Sequence, residues 1–246
     1  MFILLKSWIK RDKMKIIAHR GASGYAPENS IEAIKMAIEM GADFIEIDVR
    51  RTRDGRLILI HDGKVDRVTD GTGYVSRLSL RQVRKFRLPN GEPIPTLEEA
   101  LNLLKTAKRS KFRIHIKWAG FEHKVLNAII ATGVWDRVRI LGSSIVLKTV
   151  IPLQRYLGYD IELGLAGRQQ LLKVAKELGV VEVSPHISNL NRKYVERAHQ
   201  MNIEVYTWLV DDLKSLRRAI ELGVDGIITR YPDIMSRYSE ELKGTI

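Results

Sequence analysis

Two short stretches of the 246-residue chain hold the side chains best suited to chemistry. One is His19-Arg20-Gly21-Ala22, followed by Pro27-Glu28-Asn29-Ser30. The other is Glu46-Ile47-Asp48, followed by Asp54-Gly55 and His61-Asp62. Two histidines, an arginine and two alternating carboxylates suit metal-assisted cleavage of a phosphate ester. Carboxylates hold a cation, and a guanidinium meets phosphate charge. An imidazole, with a reference pKa of about 6.5, can take or give a proton near neutral pH. Which histidine would take the proton and which would give it stays open.

These side chains need elements to aim them. Lys15-Ile-Ile-Ala-His19 reads as a buried strand. Asn29 then reads as a helix cap with Glu32 completing a capping box, Ile31, Ile34 and Ile38 follow at helical spacing, and Gly41 stops the helix. Glu28 is expected to be a first-turn charge complementing the helix dipole, with fixing of Arg20 as the alternative. Residues 44–49 form the second strand. Its alternation puts Phe44, Glu46 and Asp48 on one face and Ile45, Ile47 and Val49 on the other. Two carboxylates facing one interior are costly unless a cation or donors meet them.

Residues 56–61 are expected to pair back on that strand through the Asp54-Gly55 turn. Residues 62–94 carry no strong period and read as a small insertion, and Thr96 caps the next helix. Thereafter strands near 112–117, 137–142, 159–165, 180–185, 203–209 and 225–229 alternate with helices. Counted from the first strand, eight β-α units predict a (β/α)8 TIM barrel as a single domain over 1–246, with a peripheral segment 1–13. An open doubly wound sheet is the alternative, but the glycine-rich dinucleotide fingerprint is missing after the first strand. In a barrel, the reacting groups sit at the C-terminal ends of strands. Besides the motifs above, that rule selects His115, Lys117, Ser143, Ser144, Ser184, His186, Trp208, Thr229 and Arg230.

Composition narrows the function classes. The absence of cysteine excludes disulfides and thiolate metal sites. No apolar run approaches the roughly 20 residues that cross a membrane, and a cytoplasmic location is expected. A net charge of +12 favours anionic partners such as phosphate esters or an acidic lipid surface. Positive charges are scattered without interleaved aromatics, so nucleic acid is not expected as a partner.

Further motifs extend the pattern: Thr52-Arg53-Asp54-Gly55, Arg67, Thr69, Gly71 and Gly73, Pro95 to Leu101, and Gly223 to Thr229 with Pro232. With the two opening stretches they resemble the glycerophosphodiester phosphodiesterase family, in the expected order from residue 15 to about 235. The resemblance implies a TIM barrel with an insertion after strand two. It implies that His19 and His61 are the general acid–base pair, that Arg20 and Lys117 bind phosphate, and that Glu46 and Asp48 ligate a divalent metal.

The sequence departs from the family at three places. The usual third metal ligand, a glutamate, is His115. The strand-seven pattern ends in Asp211 rather than asparagine, as Trp208-Leu-Val-Asp211. Arg230 stands where an aspartate is usual. Oxygen donors suit magnesium, calcium or manganese, and an imidazole at 115 moves the preference toward transition metals. Trp208 is expected to pack against an apolar part of the substrate.

The expected reaction is hydrolysis of glycerophosphodiesters to an alcohol and glycerol phosphate, with a lysophospholipid as the nearest variant substrate and a lysophospholipid or a membrane surface as a further expected contact. A non-catalytic phospholipid- or anion-binding barrel with a decayed metal site is the alternative, motivated by His115, Arg230 and the net charge.

Overall fold

The computed structural model describes residues 14–107, 109–166 and 172–238. The expected peripheral segment 1–13 lies outside the described residues. The strands are β1 (Lys15–Ala18), β2 (Phe44–Arg51), β3 (Leu57–Leu59), β4 (Lys111–Ile116), β5 (Val138–Gly142), β6 (Glu162–Leu165), β7 (Glu182–Val183), β8 (Glu204–Thr207) and β9 (Gly226–Thr229). They hydrogen-bond in the order β1-β9-β8-β7-β6-β5-β4-β2-β3, and β1 also pairs with β2. That last pairing closes eight parallel strands into a barrel. β3 lies outside it, antiparallel to β2, as the hairpin reading required.

The two-residue period of each strand divides the protein into an outer and an inner core. On β2, Ile45, Ile47 and Val49 face outward into the main apolar layer with Ile114, Ile116 and the helix residues Ile34, Leu101 and Val125. The alternate residues face the lumen, where Phe44 packs with Ile17, Tyr206 and Ile228.

The lumen also holds charge. Glu182 is fully buried and bridges Arg113 (Nη2 to Oε1, 2.5 Å) and Arg139 (Nη1 to Oε2, 2.5 Å). Arg139 reaches further to Glu162 (2.8 Å) and Glu204 (2.9 Å). Room for this network comes partly from Gly164, the register partner of Glu182, where an added Cβ would lie 2.6 Å from the Glu182 side chain.

Residues 62–94 build a satellite core. Val65, Val75, Val83, Leu88 and Ile94 pack under Ile58 and Ile60 of the hairpin. Burying these side chains fixes an otherwise aperiodic insertion against β3. The capping expectation at Thr96 holds, with Glu99 completing its capping box. At the first helix (Ile31–Glu39) the cap is Ser30, not Asn29: Ser30 Oγ accepts from Ala33 N at 2.9 Å. Asn29 instead adopts a left-handed backbone (φ 59) and is drawn into the site. Glu32 accepts from Asn90 at 2.7 Å and closes no box.

Candidate active site

β1 ends at the C-terminal rim with His19, whose N–H donates to Thr229 O of β9 (2.8 Å). The chain then turns sharply through Arg20 (φ 57) and Gly21 (φ 79). A Cβ on Gly21 would lie 2.6 Å from the Ala33 backbone, so only glycine lets the turn pack on the first helix. This turn aims the Arg20 backbone N–H at Glu46 Oε2 (3.0 Å).

The register of β2 and β4 does the next step. Asp48 is the register partner of His115, and Glu46 of Arg113. The lumen-facing side chains of both strands therefore rise in rows, Glu46 and Asp48 beside His115 and Lys117. His115 Nδ1 lies 3.5 Å from Asp48 Oδ1 and 3.8 Å from Glu46 Oε1. Lys117 Nζ lies 3.3 Å from the same Asp48 oxygen. Asn29 grips Asp48 from the other side, accepting from its N–H (3.0 Å) and donating to Oδ2 (3.2 Å).

Burial pushes the Glu46 carboxyl up, but His115, His19 and Arg20 outweigh it, and the group is held well below the usual carboxylate range. Burial pushes His19 down, against the opposing pull of Glu46, so its neutral form is favoured. Arg20 Nε is buried 3.1 Å from Asp48 Oδ2 but lacks a hydrogen-bond acceptor at a suitable angle. A phosphate oxygen is the chemistry such an orphaned donor invites.

Glu46, Asp48 and His115 each offer a ligand atom, and all three atoms lie within 4.8 Å of one another. Two buried carboxylates and a partly buried imidazole converging at one point fit a divalent cation.

His61 follows the hairpin. Its Nδ1 lies 2.7 Å from Asp62 Oδ1, and Asp62 also binds Arg67 Nε (2.5 Å). Burial raises the Asp62 carboxyl, yet the bonds to Arg67 and His61 bring it below its ordinary value. Glu28, expected as a helix first-turn charge, precedes the helix and pairs with Arg20 (3.1 Å) and Arg67 (2.6 Å). The reason is the left-handed Asn29, which turns the chain before the helix begins.

Trp208 stands elsewhere on the rim. It is 41% exposed, its indole N–H donates to Ser184 O (2.8 Å), and its ring meets His186 edge-on with centroids 4.9 Å apart. Ser143 caps the helix that follows β5. Arg230 and Asp211, two departures from the family pattern, answer each other: Arg230 Nε lies 2.6 Å from Asp211 Oδ2, and Arg230 N and Thr229 Oγ1 donate to Asp211 Oδ1.

Asn29 in this role escaped the sequence reading, because two residues in succession, Asn29 and Ser30, are both good helix caps. The contacts of Arg67 with Asp62 and Glu28 escaped it as well, since 62–94 offers no period from which to place a side chain.

A closed barrel whose C-terminal rim carries imidazoles, carboxylates, an arginine and a lysine suits the class of hydrolases acting on phosphodiesters. Residues 19–234 match the glycerophosphoryl diester phosphodiesterase family, and this chain belongs to it. It is 34% identical to a glycerophosphodiester phosphodiesterase of Caldanaerobacter subterraneus subsp. tengcongensis, over 91% of this chain and 96% of the relative. It is 30% identical to one of Bacillus altitudinis, over 93% and 99%. Among solved structures, a glycerophosphodiester phosphodiesterase from Parabacteroides distasonis superposes with a TM-score of 0.82 at 25% identity, covering 93% of this chain and 98% of that one. An Oleispira antarctica phosphodiesterase, solved with the product sn-glycerol-3-phosphate, shares the fold (TM-score 0.80, 22% identity, 91% and 95% covered).

Proposed function

We propose that this chain hydrolyses glycerophosphodiesters to an alcohol and glycerol phosphate, using a divalent cation held by Glu46, Asp48 and His115. The observation that carries the reading is the convergence of those three ligand atoms beside the buried Arg20 Nε, which makes no hydrogen bond, and the ammonium of Lys117. When bound, the cation would neutralise phosphate charge and polarise the phosphoryl group.

The chain's own residues do the rest. Arg20 and Lys117 hold non-bridging phosphate oxygens. His19, kept neutral by burial, takes the proton from the attacking water as its oxygen bonds to phosphorus. His61, with Asp62 as counter-charge on Nδ1, gives a proton to the alcohol oxygen as its bond to phosphorus breaks. Trp208 offers an apolar face to the departing alcohol. Magnesium, calcium and manganese suit the carboxylates, and His115 shifts the preference toward manganese and later transition metals.

The test is release of glycerol phosphate by chelated protein from glycerophosphocholine and from a lysophospholipid, with single metals added back. Activity should return with at least one metal. It should fall about 10²–10⁴-fold in His19→Ala and in His61→Ala, the usual worth of a general acid or base. No turnover of either substrate with any metal would reject the reading and favour a non-catalytic anion-binding barrel. The ratio of rates on the two substrates separates the lysophospholipid variant.

A further inference from the structure

Arg67 lies in the insertion, outside every strand and helix of the barrel. It spends all three guanidinium nitrogens on two carboxylates. Nη2 and Nη1 bind Glu28 Oε1 and Oε2 at 2.6 and 2.8 Å, and Nε binds Asp62 Oδ2 at 2.5 Å. Each carboxylate is also met by a side chain of the site. Glu28 Oε1 accepts from Arg20 Nη1 at 3.1 Å, and Asp62 Oδ1 faces His61 Nδ1 at 2.7 Å. The five residues form one unbroken chain, Arg20–Glu28–Arg67–Asp62–His61.

We infer that Arg67 is a positioning residue: through Glu28 and Asp62 it locks the phosphate-directed Arg20 and the proton-moving His61 into one frame, and it holds His61 in the tautomer with the proton on Nδ1. This rests on the hydrolytic reading above.

Three physical points support it. An ionised carboxylate only accepts, so Nδ1 must carry the proton and Nε2 is left for proton exchange. A guanidinium fork satisfies two carboxylates at fixed angles, which the point charge of a lysine cannot. The turn that presents Arg67 is itself anchored. Thr69 N and Thr69 Oγ1 both donate to Val65 O (3.1 and 2.9 Å), and Val65 is fully buried in the satellite core. The insertion thereby becomes part of the catalytic frame rather than an appendage. Arg67 is half exposed, so its ion pairs add little to stability. That separates a positioning role from a structural one.

The experiment compares full-length metal-loaded wild type with Arg67→Met, Arg67→Lys, Asp62→Asn and the Arg67→Met/Asp62→Asn double variant on glycerophosphocholine. It also records histidine ¹⁵N spectra of the resting proteins. The expected result is a drop in kcat of about 10–100-fold in Arg67→Met, the range found for groups that orient active ligands. Melting curves should superimpose on wild type, and Arg67→Lys, which keeps the charge, should stay impaired. Asp62→Asn should cost much less in the Arg67→Met background than alone, because both act on one imidazole. Recorded at a pH high enough to leave the imidazole neutral, the wild-type His61 signal should show Nδ1 protonated and Nε2 bare, and Arg67→Met should show mixed tautomers; protonation then adds to Nε2 the proton that passes to the alcohol.

Wild-type kcat in Arg67→Met, full rescue by lysine, additive losses, or an unchanged His61 tautomer would each overturn the inference. The spectra decide it even if wild type turns over no substrate, an outcome that would instead count against the hydrolytic reading.

Discussion

Asn29 clasps Asp48 in both directions, accepting its backbone N–H at 3.0 Å and donating to its carboxylate at 3.2 Å. Both residues are nearly devoid of solvent, so neither partner can be replaced by water. The left-handed backbone of Asn29 lets one amide reach main chain and side chain of the same residue. Asparagine tolerates that conformation better than most residues. Asn29→Ala should therefore lose two buried hydrogen bonds and add backbone strain. A destabilisation of about 2–4 kcal/mol is expected from leaving buried polar groups unpaired. Metal affinity should weaken about 10–100-fold as Asp48 loses its orientation. Urea melts and metal titration check both. Asn29→Gly, which relieves the strain but not the lost bonds, should recover part of the stability and none of the metal affinity.

His115 should set the metal preference. His115→Glu exchanges a neutral donor for an anionic one beside Glu46 and Asp48. The ratio of magnesium to manganese or zinc affinity should rise, because hard oxygen donors favour magnesium and imidazole favours the later metals. Competitive calorimetry on the resting protein reads this without turnover. A tenfold change in the ratio, about 1.4 kcal/mol, is the smallest shift that supports ligation by His115. An unchanged ratio would remove His115 from the metal site.

Trp208 tests how the mouth recognises the alcohol. With its indole pinned to Ser184 and its edge on His186, the exposed face is preset rather than mobile. Trp208→Ala should raise KM for a substrate with a bulky alcohol about 2- to 12-fold, the equivalent of an aromatic contact worth about 0.5–1.5 kcal/mol. It should leave kcat nearly unchanged, because binding is lost equally from ground and transition states. An equal fall in kcat would place Trp208 in the transition state instead.

The sequence made the rim legible because strand alternation is local. Glu46 and Asp48 share a face by spacing alone, and Lys117, two residues beyond His115 and just past the end of β4, follows the same rule. The barrel itself was legible in the count of eight β-α units, each strand and helix being a local period. What stayed hidden depends on partners far apart in the chain. Arg113 and Glu182 are 69 residues apart and meet across the lumen, so neither reads as half of a pair. The Arg230–Asp211 pair was visible only as two separate departures, and their contact explains why both can stand together. Arg67 sits in an aperiodic segment whose placement is decided by the burial of Val65 and its neighbours rather than by any repeat.

The lumen network makes stability depend on acid. Burial alone would raise the Glu182 carboxyl, but Arg113 and Arg139 outweigh it and hold the group below its ordinary value of 4.5. A carboxyl whose folded pKa is depressed stabilises the fold fully above its unfolded pKa, and the contribution is lost as pH falls through the folded value. Wild type should therefore hold its melting temperature above pH 4.5 and lose it progressively below. Glu182→Gln should be destabilised by about 3–5 kcal/mol near neutral pH, because it takes the carboxylate from the buried Arg113 and one of three from Arg139. Its further loss on acidification should be shallower, since the titrating group is gone. Thermal melts of both proteins from pH 7 to pH 3 decide the matter, and parallel pH curves would show that another carboxylate governs the acid limb.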